Sequence, residues 1–254
     1  LNDAQLTQEQ KAQSLTALYF QFYRVDLLKA YLNGDKANSA FQNKSFHYFL
    51  SAFIQYREGK YESANSAFKR VKTIAHKSEY LASEDKDRWL AIIELYIAIN
   101  DAYLQNYTRA IERLRKVRVD ARSRSWSTIA AKAHYFLGLV NYELQDYEPA
   151  LEHFTRAEAS YPREDRYMIA EATMRRAQMI NIVGERSQAL QLLEQAIALY
   201  QALGDKSLLA YSYLLKGYFL HKDNQQQQAI AWFEKSVILR EQLGNPLELA
   251  NIYV

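Results

Sequence analysis

The chain lacks cysteine altogether and holds only seven glycines and three prolines among its 254 residues. Without cysteine it forms no disulfide bond, thiolate nucleophile, zinc–thiolate site or iron–sulfur cluster. So few glycines and prolines do not supply the many turns of a β-sandwich or barrel, nor the glycine loops of a nucleotide-binding fold. The composition therefore predicts an all-helical protein.

Neither sign of charge dominates, and no long apolar run is present. Thirty-two Lys and Arg residues stand against 29 Asp and Glu residues, a net charge of +3, which argues against nucleic-acid binding driven by overall charge. The most apolar stretch, residues 90–99, contains Glu94 and has about half the length of a membrane span. It predicts no span. Because the sequence starts without methionine and stops inside an expected helix, we expect a piece of a longer or processed protein.

Internal repeats organise most of the sequence. In the clearest unit, from Ala131 to Pro162, small and bulky residues recur at fixed positions. One small position recurs at Ala64, Ala110, Ala150, Ala189 and Ala229, at intervals of 46, 40, 39 and 40 residues. Twelve residues earlier stand Ala52, Ala98, Gly138, Ala177 and Gly217, and four residues later stand Phe68, Leu114, Phe154, Leu193 and Phe233. Three residues before the alanine stand Tyr61, Tyr107, Tyr147, Arg186 and Gln226.

This pattern resembles the tetratricopeptide repeat, a helix–turn–helix unit. Its spacing near 40 rather than about 34 residues is similar to the extended repeats of bacterial sensor and regulator proteins. The resemblance implies an all-α, right-handed α-solenoid, a superhelix of antiparallel helix pairs. We expect N-terminal capping helices over residues 1–40 and the repeat array over residues 41–254. The predicted units are 45–80, 91–124, 131–165, 170–205 and 210–245, with a truncated sixth from 250.

Two further local patterns give structural expectations. Leu203-Gly204-Asp205 and Leu243-Gly244-Asn245 match each other 40 residues apart, which predicts a left-handed glycine C-cap followed by an N-cap at each place. The polar segment 77–87 accounts for the longer first interval, and we expect it to be a loop.

No constellation of residues indicates catalysis. The five histidines have no metal-ligand spacing, and no phosphate loop, nucleophile elbow or dinucleotide fingerprint occurs. We predict that the chain is not an enzyme and that it needs no cofactor or metal.

A basic run over residues 109–124 leaves two interpretations open. Its core of Arg113, Arg115, Lys116 and Arg118 is a candidate patch for an anionic ligand. Alternatively, the run is the solvated outer side of one helix, paired locally with acidic neighbours. No aromatic residue interrupts the run before Trp126, which argues against stacking on single-stranded nucleic acid.

The resemblance also implies a concave groove lined by the first helix of each unit. We predict that a partner binds there, and the candidate residues are Tyr135, Leu139, Tyr142, Met174, Gln178, Asn181, Tyr211, Leu214, Tyr218 and His221. The further aromatic residues Phe46, Phe49 and Phe53 either line the same groove or are buried by the N-terminal helix. The expected ligand is an apolar peptide or a helix of another chain.

These expectations define a non-catalytic protein- or peptide-binding module. The resemblance implies the sensor region of a bacterial signalling protein with a periplasmic location. The alternatives are the regulatory domain of a cytoplasmic transcription regulator and a scaffold or assembly adaptor, the latter as a homodimer. From this fragment we expect no contact with nucleic acid.

Overall fold

A computed structural model describes residues 44–77 and 83–243, and within these ranges the chain consists of helices and short turns. The predicted capping helices of residues 1–40 and the truncated sixth unit lie outside the described residues. The described helices are α1 (Lys44–Arg57), α2 (Tyr61–Lys77), α3 (Ser83–Tyr103), α4 (Tyr107–Ser123), α5 (Ser127–Glu143), α6 (Tyr147–Ser160), α7 (Arg166–Ile182), α8 (Arg186–Leu203), α9 (Lys206–Lys222) and α10 (Gln226–Leu243). The prediction of an all-α helical repeat is confirmed.

The helices form five consecutive pairs, each with a first and a second helix. The second helices begin at Tyr61, Tyr107, Tyr147, Arg186 and Gln226, which are the positions that the repeat frame aligns. The chain divides into two compact units, residues 1–129 and 130–254. In the first unit α2 packs on α1 and α3, and α3 packs on α4; in the second, neighbouring helices from α6 to α10 pack in chain order.

The turn inside each pair has the same backbone geometry. Two residues before each second helix stands a residue with positive φ; these are Gly59, Gln105, Gln145, Gly184 and Asn224. In every case the next amide N–H donates to the carbonyl five residues earlier, at 2.8–3.1 Å. This is the hydrogen bond that closes a helix ending in a left-handed residue. It reverses the chain in a few residues and sets the two helices antiparallel.

The second helices α2 and α4 are amphipathic, and their apolar sides form the core of their pairs. In α2 the buried side chains are Ala64, Phe68, Val71 and Ala75, and α4 repeats the spacing with Ala110, Leu114, Val117 and Ala121. Steps of four, three and four residues return to one side of a helix. Polar and charged residues occupy the opposite side.

Each pair depends on a close approach between its two helices. The small residues Ala52, Ala98, Gly138, Ala177 and Gly217 are all buried on the first helices. At Gly138 a Cβ atom would lie 2.7 Å from the Phe154 ring, well inside van der Waals contact. Phe154 is itself fully buried. The bulky residue of the second helix therefore fills the space that the small residue leaves.

Aromatic side chains form the core between the first two pairs. Phe49 packs against Trp89 and Tyr96, with ring centroids 4.8 and 5.4 Å apart. Phe53 is fully buried and contacts Tyr96 edge-on at 5.6 Å. Phe49 and Phe53 therefore pack against α3 rather than line a groove. Aromatic pairs in this geometry add to the free energy of burial.

The cap prediction is confirmed where the structure describes it, and one loop prediction is wrong in part. Gly204 has φ 70° in the left-handed region, and the Asp205 carboxylate accepts a hydrogen bond from the Leu208 N–H at 3.0 Å. The matching pair at 244 and 245 lies outside the described residues. Residues 83–87 belong to α3 rather than to a loop, because this helix extends for 21 residues.

Replacing Gly138 by Ala should destabilise the protein by about 1–3 kcal/mol, because the enclosed Phe154 ring has no room to retreat. Gly217→Ala is the comparison variant: its new Cβ would meet the Phe233 ring at 2.5 Å and the Ala229 carbonyl oxygen at 3.1 Å. The Phe233 ring is only half-buried and is able to swing aside, so the loss of stability should be smaller. Urea unfolding followed by circular dichroism compares the two variants. An equal loss of stability in both would contradict this account of the Gly138 contact.

Candidate functional site

An open apolar groove lies between α9 and α10 in the second unit. Its volume is about 940 Å³, and it is lined by Tyr211, Leu214, Leu215, Tyr218, Ile230, Phe233, Glu234, Val237 and Ile238. Three of these large side chains are strongly exposed: Ile230 at 56 %, Ile238 at 53 % and Tyr218 at 47 %. Contiguous apolar exposure of this kind marks binding surfaces more often than scattered single residues do.

The sequence produces the groove through apolar residues that recur along both helices. In α10 the residues at 230, 233, 237 and 238 follow a helical spacing and share one side. The equivalent residues of α8, forty positions earlier, include Leu193 and Ile197, which are buried in the core shared with α9. Phe233 and Val237 instead face the open groove. The groove is thus the apolar side of a helix pair that no other described helix covers.

A row of polar side chains on α7 extends from the groove towards α5. Glu171, Arg175 and Gln178 follow each other at steps of four and three residues and so share one side of the helix. The Gln178 side-chain amide donates to the Tyr211 hydroxyl at 3.2 Å and accepts from Arg175 at 3.0 Å. Since Tyr211 also lines the groove, the polar row and the apolar groove are continuous.

Glu171 anchors the other end of this row. Its two carboxylate oxygens accept hydrogen bonds from the Tyr135 hydroxyl at 2.7 Å and from the Tyr200 hydroxyl at 3.0 Å. These bonds connect α5, α7 and α8 through a single carboxylate. A half-buried carboxylate that accepts two such hydrogen bonds fixes the positions of the side chains around it.

The protonation states in this row are set by burial and by Glu171. Burial, reinforced by the carboxylate, raises the pKa of both Tyr135 and Tyr200 far above the usual value, so both hydroxyls stay donors. Burial opposes the charge of Arg175, but Tyr135, Glu171 and Tyr211 outweigh it and raise the pKa of the guanidinium. Arg175 is therefore a fixed cation within this row.

The structure brings together some of the predicted groove residues. Tyr211, Leu214 and Tyr218 line the apolar groove, and Gln178 reaches it through Tyr211. His221 is exposed on the last turn of α9, where its Nδ1 lies 2.7 Å from the Gln226 side-chain oxygen. Tyr135 has its hydroxyl engaged by Glu171 rather than facing a ligand.

Other predicted groove residues serve the core. Met174 is only 1 % exposed and packs under Ser212, so its prediction as a ligand contact is wrong. The next residue, Arg175, takes the polar side instead, because one step along a helix rotates the side chain by about 100°. Leu139 and Tyr142 are half-buried against the core of the α5–α7 region. Asn181 is half-buried, and its side-chain oxygen finds no partner among the described residues.

Sequence reasoning missed the groove residues of the second helix. It assigned the binding surface to first helices only, whereas α10 supplies Ile230, Phe233, Val237 and Ile238. A signal was available, since Ile230 and Ile238 are large apolar residues that the repeat frame does not use for its core. It also missed Arg175 and Tyr200, whose roles depend on contacts made through Glu171.

The predicted anionic-ligand patch is divided between two environments. Arg113 points inward: it forms an ion pair with Glu94 and another with Asp101, whose carboxylate oxygen lies 3.1 Å from the guanidinium Nε. Its prediction as a ligand contact is therefore wrong, because two carboxylates of α3 already hold it. Arg118 is half-buried, whereas Arg115 and Lys116 are exposed.

Glu94 receives cations from both sides. Lys72 of α2 lies 2.5 Å from one of its oxygens, and Arg113 of α4 pairs with the other. Burial alone would raise the pKa of this carboxyl, but the hydrogen bonds and charges of Lys72 and Arg113 outweigh it, so the pKa lies below its usual value. The folded protein therefore favours the ionised form of Glu94.

Within the part of the chain that the structure describes, no three potential ligands among His, Cys, Asp and Glu come together as a metal site. His134 and His153 face each other with 3.0 Å between their Nδ1 atoms and form a pair within one helix pair. None of the described helices combines the length and the apolar character needed to cross a bilayer.

Comparison with known proteins identifies the repeat. Residues 210–242, which cover most of α9 and α10, match the model of the tetratricopeptide repeat. One repeat of the chain therefore matches the tetratricopeptide repeat, in agreement with the sequence pattern. No curated protein matches it in sequence.

Solved structures share the fold at low sequence identity. A signal-transduction ATPase from Pyrococcus horikoshii with a tetratricopeptide repeat sensor matches with TM-score 0.76 and 16 % identity, over 96 % of this chain and 37 % of that one. The Rap conjugation gene regulator of the plasmid pLS20, in complex with the Phr* peptide, matches with TM-score 0.72 and 16 % identity, over 95 % of this chain and 67 % of that one. Aspartyl phosphate phosphatase F from Bacillus subtilis matches with TM-score 0.60 and 17 % identity, over 87 % of this chain and 68 % of that one.

Replacing Glu94 by Gln should destabilise the protein by about 1–3 kcal/mol at pH 7, because Lys72 and Arg113 both lose the carboxylate with which they pair. A carboxyl whose pKa is lowered on folding contributes stability above its unfolded pKa and loses it as the pH falls through the folded value. The difference between wild type and Glu94→Gln should therefore shrink below about pH 4. Urea titrations at several pH values measure it, and a difference independent of pH would contradict this assignment.

Proposed function

We propose that this chain is a non-catalytic ligand-binding module whose ligand is an apolar peptide, or a helix of another protein, seated between α9 and α10. The observation that carries this proposal is the open groove of about 940 Å³ with its exposed Ile230, Ile238 and Tyr218. Its size suits several side chains of one helix face or one short peptide. Burial of these side chains by a ligand removes apolar area from water and supplies the binding free energy.

The polar row of α7 indicates how the ligand is oriented in the groove. Apolar side chains enter the α9–α10 groove, and polar groups lie towards Gln178 and Arg175, which are half-buried beside it. Because Gln178 carries both a donor and an acceptor, it is suited to the main chain of a peptide. The lining also argues for binding rather than catalysis: Glu234 is its one charged residue, and a lone carboxylate among apolar side chains lacks an acid–base partner.

We further propose that the module is the sensor region of a bacterial signalling protein. Two proteins of the same fold support this: one is described as carrying a tetratricopeptide repeat sensor, and the other is a regulator in complex with a peptide. A periplasmic location is part of this proposal. A cytoplasmic transcription regulator and a scaffold are the alternatives, and the sequences encoded on either side of this chain in its gene distinguish the three.

The groove proposal predicts the effect of two substitutions. A library of displayed 12-residue peptides, panned against the chain, should enrich sequences with apolar residues three and four positions apart. Leu214→Ala combined with Ile238→Ser should weaken the binding of an enriched peptide by about tenfold or more, because each change removes apolar contact area. Fluorescence anisotropy with labelled peptide measures the affinity.

A matched control separates the groove from general apolar exposure. Leu144 is also an exposed apolar residue but lies in the turn between α5 and α6, so Leu144→Ser should leave the affinity unchanged. Equal weakening by the control would sink the groove assignment. A chain ending at Leu243 adds a second check: much tighter peptide binding by this shorter chain would mean that residues 244–254 compete for the groove, which would then not be a free ligand site.

A further inference from the structure

The outer sides of α2 and α4 in the first unit are unusually basic. The exposed cations are Lys69, Arg70 and Lys77 on α2, and Arg109, Arg115, Lys116 and Arg122 on α4. The exposed carboxylates on the same two helices are Glu62, Glu112 and Asp120. Residues 1–129 carry 20 Lys and Arg against 14 Asp and Glu, a net +6, whereas residues 130–254 carry 12 against 15, a net −3. The small overall charge hides this separation.

The two basic helices both pack on α3 and reach the same carboxylate of that helix. Lys72 of α2 and Arg113 of α4 bind the two oxygens of one carboxylate, that of Glu94 on α3. Asp101 of α3 also forms an ion pair with Arg113, with 3.1 Å between its oxygen and the guanidinium nitrogen. Asp87 of α3 pairs with Arg124 in the same way at 2.6 Å. These three carboxylates of α3 are thus occupied by cations that point inward or stand at the helix end. The seven outward cations have no ion pair among the described residues.

These cations follow a regular spacing. Arg70 and Lys77 stand seven residues apart, and so do the pairs Arg109 and Lys116, and Arg115 and Arg122. Seven residues are close to two turns, so each pair shares a helix side with about 10.5 Å between its members along the axis. A second helix laid along this surface, with a carboxylate at every seventh residue, presents charges at the same interval.

We propose that this surface binds an acidic helix of a protein partner, in which Asp or Glu recurs at seven-residue intervals. The exposed Val119, at 57 %, lies among the cations of α4 and offers an apolar contact within the charged surface. This inference is independent of the α9–α10 groove, because it rests on residues of the other unit. It assigns the chain a second partner surface.

Two other classes of polyanion fit the surface less well. The exposed residues of α2 and α4 include no Phe, Tyr or Trp side chain on which a nucleic-acid base would stack. Glu112 and Asp120 lie between the cations, where they repel a phosphate backbone whose charges follow each other every ~1.7 Å along a duplex. An anionic membrane attracts basic residues, but firm binding of a helix also uses an apolar face that inserts, and Val119 is the only large apolar residue that α4 exposes.

The test uses the full chain and a labelled, alanine-rich helical peptide of three heptads with glutamates along one side. A second peptide has the same composition with the glutamates spread around the helix. At low salt the first peptide should bind about tenfold or more tightly than the second, and added salt should weaken it. Equal affinity for both peptides would overturn the spacing argument.

Charge reversals locate the surface. Arg115→Glu with Arg122→Glu, and separately Arg70→Glu with Lys77→Glu, should each weaken binding by about tenfold or more. Arg163→Glu with Lys206→Glu makes the same charge change at exposed positions of the second unit and should have little effect. Circular dichroism should show unchanged helicity in all three, since the side chains are exposed.

Three results would reject the proposal. One is an equal loss of affinity in the Arg163 and Lys206 control, which would mean that the net charge of the chain, and not this surface, determines peptide binding. The others are displacement of the peptide by duplex DNA, or by phosphatidylserine vesicles, at lower charge concentration than the peptide itself. Either of these would assign the surface to a different class of partner.

Discussion

The contact between one small residue on a first helix and one bulky residue on the second, seen for Gly138 with Phe154 and for Gly217 with Phe233, holds a helix pair together. The contact between Gly138 and Phe154 shows how little space it leaves, since even one methyl group would overlap the ring. With the two helices this close, the turn between them has to be short, and the second helix has one apolar side turned inward. The polar opposite sides of the second helices are then free to carry charge, and the first helices are free to pack on the neighbouring pair.

The two candidate surfaces follow from this arrangement in different ways. Where the next pair packs, as α9 does on α8, large residues such as Leu193 and Ile197 are buried. Where no described helix follows, on α10, the equivalent Phe233 and Val237 line an open groove. The basic surface has the opposite origin, because the outward sides of α2 and α4 are not needed for packing. Their charge is therefore free to serve recognition, while Glu94 and Asp101 neutralise only the inward cations.

The repeat frame predicted the fold well because it rests on packing that recurs. Five second helices begin at the residues that the frame aligned, from Tyr61 to Gln226. The site was predicted only in part: Tyr211, Leu214 and Tyr218 line the groove, but Met174 is buried. A shift of one residue changes which side of a helix a residue occupies, and the frame does not fix rotation to that accuracy. Arg113 was wrongly assigned to a ligand patch for another reason. Its partner Glu94 lies on a different helix, and no local sequence pattern indicates that contact.

The turn within each pair has a consequence for how the chain folds. Its closing hydrogen bond spans only five residues, from Lys60 to Gln55 in the first pair and from Gln225 to Leu220 in the last. Two helices joined in this way meet through contacts that are near in sequence, and proteins rich in such contacts fold rapidly because little chain entropy is lost before they form. The links between pairs are less uniform: Trp126 to Ala121 and Asp205 to Tyr200 repeat this bond, whereas the link after α6 does not. The first interval is also 46 residues rather than about 40. Evolution is thus able to lengthen the array between pairs without disturbing the hairpins from which it is assembled.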